Sequence, residues 1–171
     1  MRNEFSRQLN LLSREMTEMG NMCKAAIEQA MEALFSGDMD AAKNVILGEE
    51  QIDQKEKDIE SLCMKLLLRQ QPVASDLRTI SAALKMISDM ERIGDQSEDI
   101  AEIVEYMEAD AIPQEENLKS MAQRTVDMVI HSIEAFVVCD ESMASEVIEA
   151  DDEVDDYFLK VKEDLIIMIA D

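Results

Sequence analysis

Residues 77 to 95 read Leu77-Arg78-Thr79-Ile80-Ser81-Ala82-Ala83-Leu84-Lys85-Met86-Ile87-Ser88-Asp89-Met90-Glu91-Arg92-Ile93-Gly94-Asp95. At about 100° per residue, Leu77, Ile80, Leu84 and Ile87 fall on one stripe, the mark of an amphipathic helix rather than a strand. The stripe runs on into Glu91, Asp95, Glu98 and Glu102, so the inward face turns acidic along its edge. Gly94 lies near the centre of that face. The missing side chain lets a neighbouring helix approach, which offsets the roughly 1 kcal/mol that glycine costs inside a helix.

The same three-and-four spacing extends through most of the chain and β-branched alternation is absent, which predicts an all-α fold. Helix one spans about Asn3 to Ser36 and stops at Gly37, whose backbone freedom suits a C-terminal cap; Asp38 caps the next helix, Ala41 to about Arg69. Pro72 in the run Gln70-Gln71-Pro72 breaks that helix. Ser75 is the expected N-cap of helix three, Asp76 to about Glu108. After a connection around Pro113 come helix four, about Glu115 to Val138, and helix five, begun near Asp140 and running to the end.

An offset of 102 brings Val45-Ile46 onto Val147-Ile148 without gaps and pairs Met19 with Met121, Asp38 with Asp140, Ala42 with Ala144 and Asp53 with Asp155. Ile27, Met31 and Leu34 fall on Val129, Ile133 and Phe136, so the apolar pattern repeats as well. A helical bundle of duplicated three-helix units follows, residues 1–110 forming the first repeat and 111–171 an incomplete second repeat of two helices. The counterpart of helix three would begin beyond Asp171, where the sequence ends. The expectation is an apolar face on helices four and five, covered by a second copy of the chain or by a partner.

Positions i and i+4 share a helix face, and two ionised carboxylates stacked there repel by about 0.2–0.5 kcal/mol unless a cation or basic side chain intervenes. Glu91 and Asp95 form such a pair on helix three, and Glu49 and Asp53 form another on helix two. Helices two and three packed antiparallel would converge both pairs on one site. Oxygen donors of this kind suit divalent ions such as Mg²⁺, Mn²⁺, Fe²⁺ or Ca²⁺, and Zn²⁺ less typically. Asp151 and Asp155, aligned with Glu49 and Asp53, supply half of an equivalent second site. In so acidic a chain such pairs also arise by chance, and charge rows are usually solvated faces; the recurrence of one pair at the repeat offset is what favours a site.

With 39 acidic and 16 basic residues the net charge is −23, which repels nucleic acid and anionic membranes and favours cations and basic protein surfaces. Three widely spaced cysteines, Cys23, Cys63 and Cys139, each in apolar helical context, do not make a disulfide framework and fit a reduced, cytoplasmic setting. No stretch approaches the length of a membrane span and the N-terminus lacks a signal-peptide pattern. His131 is the only histidine, aligns with Gln29, and reads as a surface or partly buried structural residue. No nucleophile arrangement or phosphate cradle is present, and the 14 methionines fill apolar faces. The chain is not expected to be an enzyme.

The segment Gln71-Pro72-Val73-Ala74-Ser75-Asp76-Leu77-Arg78, followed by Asp89-Met90-Glu91-Arg92-Ile93-Gly94-Asp95 and Ile100-Ala101-Glu102, closely resembles the PhoU family. Phe5 to Met19 and Glu49 to Glu60 fit as well, so the resemblance covers essentially the whole chain. It implies two three-helix repeats whose ExxxD motifs hold metal ions (Mg, Mn, Fe or Zn), with Glu49, Asp53, Glu91, Asp95, Asp151 and Asp155 as the matching positions. It further implies a cytoplasmic regulatory adaptor that links the phosphate transporter's ATPase subunit to a sensor histidine kinase and restrains the phosphate-starvation response, with self-association as a homodimer or larger assembly. Two departures stand out: Gln96 follows the run where the family often has histidine, and the second repeat's own third helix would lie beyond Asp171. The alternative function is a metal store or metalloenzyme, against which stands the lack of an identifiable general acid or base.

Overall fold

The computed structural model describes residues 2–69, 72–107 and 115–170. Within them every regular element is helical: α1 (Arg2–Ser36), α2 (Met39–Arg69), α3 (Ala74–Ile103), a short 3-10 turn (Val104–Tyr106), α4 (Glu115–Val138) and α5 (Glu141–Ala170). The chain is an all-α bundle. Among the described residues no helix is long and apolar enough to cross a membrane.

The α1–α2 turn follows from two residues. Gly37 adopts φ +66° and its N–H donates to Ala33 O at 2.9 Å, closing the end of α1 in the left-handed conformation that favours glycine. Asp38 Oδ1 then accepts from the N–H groups of Asp40 (2.9 Å) and Ala41 (3.1 Å), so α2 begins at Met39. The same turn is built again 102 residues on. Asp140 Oδ1 accepts from Ser142 N–H (2.9 Å) and Met143 N–H (3.1 Å), and Cys139 takes the left-handed position at φ +55°. Cys139 is therefore an exposed turn residue rather than one in apolar helical context.

Helix three starts earlier than the sequence predicts. Its N-cap is Val73 rather than Ser75, and the cap is made from inside the helix: Asp76 Oδ2 accepts from Val73 N–H at 3.3 Å, leaving Ser75 in the first turn. At the other end α3 tightens into the 3-10 turn and Met107 is extended (φ −88°, ψ 138°), so the helix does not reach Glu108. The expected break at Gln70-Gln71, and the connection from Glu108 to Gln114, lie outside the described residues.

The main core joins three helices around residues with no exposure: Leu12, Met16, Met19 and Cys23 from α1, Ile59 and Cys63 from α2, and Ile80 and Ala83 from α3. Each fully buried large aliphatic side chain is worth roughly 1.5–3 kcal/mol over its exposed state. Cys23 and Cys63 are free thiols; burial pushes the first up to about 12 and the second up to about 11, so both stay protonated and inert. The core-facing residues of α3 are Ile80, Ala83, Ile87, Met90, Gly94, Ser97 and Ala101, whereas Leu77 is exposed, so the acidic row runs beside the buried stripe and not along it.

Helix α4 packs across α1 through Ile27, Met31 and Val126 and at a second point where Gly20 meets Ile133. A Cβ added at Gly20 would lie 2.8 Å from Ile133 Cγ1. Helix α5 is laid on α4 and has no buried residue among those described. Polar pairs hold its inner edge, with Arg124 against Glu153 and Asn117 Nδ2 donating to Asp164 Oδ2 at 2.9 Å.

Candidate functional site: the acidic edge between α2 and α3

Gly94 sets the geometry of this edge. A Cβ there would meet Ile52 Cδ1 and Cγ2 of α2 at 3.2 Å, so α3 approaches α2 closely at this level and a side chain in place of glycine would press on Ile52. Around that contact the two helices run antiparallel. The carboxylates on their shared flank are thereby drawn together: Glu49, Asp53 and Glu56 of α2 and Glu91 and Glu98 of α3 are half-buried, while Asp95 is exposed.

The electrostatics show the convergence. Glu49 is pushed above its ordinary value by partial burial first and then by Glu98, Asp95, Asp53 and Glu91. Glu56 is raised by burial and then by Glu91, Glu60 and Asp53, and Glu98 by burial and then by Glu102, Asp95 and Asp99. Partial desolvation and like charge act in the same direction, each disfavouring the ionised form. The predicted quartet Glu49, Asp53, Glu91 and Asp95 does flank one interhelical seam, and Glu56 and Glu98 belong to the same seam.

Basic side chains share the region. Lys57 Nζ donates to Asp53 Oδ2 at 2.6 Å, one turn along α2. Lys55, largely buried, bridges Glu15 Oε2 (2.9 Å) and Glu18 Oε2 (3.0 Å) of α1; its ammonium holds Glu15 below the usual carboxylate range. The i,i+4 relation of Asp53 and Lys57 is readable in the sequence and gives Asp53 a protein cation of its own.

As placed, the carboxylates line the seam without closing on a point: among the described residues no group of three or more His, Cys, Asp or Glu side chains is set to hold a metal ion. The chemistry of the donor set nevertheless fits a hard divalent cation, because the donors are all oxygens and, after burial, like charge from Glu98, Asp95, Asp53 and Glu91 raises Glu49. Asp151 and Asp155 are exposed on α5, away from the other four, and the structure brings neither to another predicted ligand. His131 is exposed on α4 and lines a cleft of about 190 Å³ between α4 and α5 together with Arg124, Asp127, Glu134 and Glu146.

The chain matches the model of the PhoU domain over residues 16–104 and 118–171. It is 32% identical over 166 residues to the phosphate-specific transport system accessory protein PhoU homolog of Aquifex aeolicus, covering 96% of this chain and 75% of that protein. Two crystal structures superpose with a TM-score of 0.87. The phosphate transport system regulatory protein PhoU from Streptococcus pneumoniae does so at 27% identity, over 95% of this chain and 77% of that one. PhoU from Pseudomonas aeruginosa does so at 28% identity, over 97% and 80%.

Proposed function

The chain belongs to the PhoU family, and on that premise we propose that it is an accessory protein of a phosphate transport system that acts by docking to other proteins and not by turnover. Its partners in this reading are the transporter's ATPase subunit and a sensor histidine kinase at the cytoplasmic side of the membrane, and its effect is to restrain the phosphate-starvation response. The observation that carries the reading is the acid-lined α2/α3 seam in a chain of net charge −23, a surface complementary to basic patches. Complementarity of this kind raises association rates and rejects acidic partners.

Glu49, Asp53, Glu91 and Asp95 would hold a divalent ion (Mg, Mn, Fe or Zn) at the seam, where a bound cation supplies the positive charge that the carboxylates lack. The chain's own contribution is positional. Gly94 against Ile52 fixes the spacing of the two helices, Lys57 competes for Asp53, and the buried stripe of α3 keeps Glu91 and Glu98 at the seam's rim. Cation or partner binding shifts the helix arrangement only by its difference in affinity between two arrangements.

Affinity capture with the solubilised transporter and kinase tests the proposal: retention of the ATPase subunit or the kinase, weakened by added salt, is the expected result, and retention of neither would overturn it. Turnover assays on phosphate esters separate the adaptor from a metalloenzyme, for which activity above background would speak.

A further inference from the structure

The charge of the chain is concentrated unevenly along the bundle. The turn at Gly37 and Asp38 sets Arg14 of α1 level with Ser61 of α2, and the approach of Gly94 to Ile52 sets Ser61 level with Lys85 of α3. Residues 2–14 and 61–85 therefore share one end of the bundle, with Phe5, Leu12, Leu66 and Ile80 in a common core. This end holds seven of the 16 basic residues and two of the 39 acidic ones, a formal charge of +5, while the rest of the chain carries −28. Helices α4 and α5 stop short of it. Gly20 faces Ile133 and Val126 packs with Ile27 and Met31, so α4 runs antiparallel to α1 and its end at Val138 comes only about level with Glu15.

Both acids of this end are already engaged: Glu4 accepts from Arg7 and Gln8, and Asp76 accepts from the Val73 N–H. At its base Lys55 holds Glu15 and Glu18. Lys65, Arg78 and Lys85 are exposed and make no ion pair among the described residues. The same end exposes Met64, Leu68, Val73 and Leu77, with Leu68 at 80% and Val73 at 63%. Unpaired cations beside exposed apolar side chains suit a partner that presents anionic groups above an apolar layer. An acidic peptide would satisfy the cations and leave Leu68 and Val73 in water. At a lipid surface those two enter the acyl boundary while the long stems of Lys65 and Arg78 reach the headgroup phosphates. The net charge of −23 does not forbid this. Glu60, the nearest carboxylate of α2, lies nine residues before the end of that helix, about 13 Å at the helical rise and beyond the roughly 8 Å screening length at physiological salt.

We propose that this basic end of the bundle docks on an anionic lipid surface, with Leu68 and Val73 inserted and Lys65 and Arg78 on the headgroups. The inference does not rest on the docking to transporter or kinase described above, and vesicles free of protein keep the two apart.

Cosedimentation of the full chain with vesicles of phosphatidylglycerol and phosphatidylcholine in equal parts, at low ionic strength, is the test. The expected result is association that phosphatidylcholine vesicles do not give and that added salt removes. Each basic side chain near an anionic surface raises association about fivefold, so Lys65→Gln with Arg78→Gln should weaken it about 25-fold. Leu68→Ser with Val73→Ser should weaken it about tenfold, while Lys160→Gln with Lys162→Gln on α5 leaves it unchanged. All three variants should keep the helical circular-dichroism signal of the parent. No association with the anionic vesicles, equal association with phosphatidylcholine alone, or indifference to either pair of substitutions at this end would overturn the proposal. Retention on poly-glutamate beads without vesicle binding would overturn it in favour of an acidic protein partner.

Discussion

The crossing of α1 and α4 is the joint between the two halves of the bundle, and Gly20→Ala probes it with one methyl group. The added Cβ would lie 2.8 Å from Ile133 Cγ1 and 3.4 Å from its Cδ1, and Ile133 is only 4% exposed, so it has little room to turn away. Overpacking of a filled core site costs about 1–3 kcal/mol. Against this, alanine gains about 1 kcal/mol over glycine inside a helix, which leaves a net loss of about 0–2 kcal/mol that a single variant cannot apportion. Ile133→Ala removes the clashing atoms and alone costs about 2–5 kcal/mol. In the double variant the clash is gone and the helical gain of alanine remains. The coupling energy of the cycle therefore isolates the steric part and is expected to be about 1–3 kcal/mol. Guanidinium unfolding of the four proteins, followed by far-UV circular dichroism, measures it. Additivity within about 0.5 kcal/mol would refute the reasoning, because α1 and α4 would then not be held apart by this contact.

Cys139→Gly relieves a left-handed residue and should stabilise the chain by about 0.5–1 kcal/mol, seen as a rise of roughly 1–4 °C in a thermal melt, whereas Gly37→Ala at the equivalent turn should lower it. Asp38→Ala and Asp140→Ala each remove a carboxylate that accepts from two backbone N–H groups, and denaturant titration should show a loss of about 1 kcal/mol for either. Glu49, Glu56 and Glu98 are raised in the folded state from a usual value of 4.5, so between that value and their folded pKa values the native chain holds more protons than the unfolded one. Stability accordingly increases as pH falls from neutral through that window, then declines as Glu15, held low by Lys55, is protonated. Melting temperatures recorded across pH should show this maximum, and Glu49→Gln with Glu98→Gln should flatten its neutral side.

Much of the architecture is legible because single residues mark it. Gly37 followed by Asp38 announces a helix end and a helix start, and Gly94 inside an amphipathic run announces a close approach, which proves to be to Ile52. Gly20 carries the same signal, yet nothing in the spacing says that its neighbour is Ile133, 113 positions away, because the crossing of α1 and α4 depends on how the two units dock. The start of α3 is misplaced by two residues for a local reason: Ser75 has the preferred N-cap chemistry, but Asp76 caps Val73 from within the first turn. Cys139 reads as a helical residue by its neighbours, although adding the repeat offset to Gly37 places it on a left-handed turn. At the seam, spacing identifies Glu49, Asp53, Glu91 and Asp95. It does not show that Glu56 and Glu98 belong to the same seam, since that follows from the antiparallel register of α2 and α3. Asp151 and Asp155 align with a site in sequence, but α5 packs on α4, without the partner helix that α3 provides for α2, and both residues are exposed there.

The acid-lined seam is the feature on which the account turns, and titration calorimetry with Mn²⁺ at low ionic strength tests it most directly. The prediction is one saturable site per chain in the parent protein that Glu91→Gln with Asp95→Asn abolishes and Asp151→Asn with Asp155→Asn leaves intact. Equal heats from the parent and the Glu91→Gln, Asp95→Asn protein would contradict it.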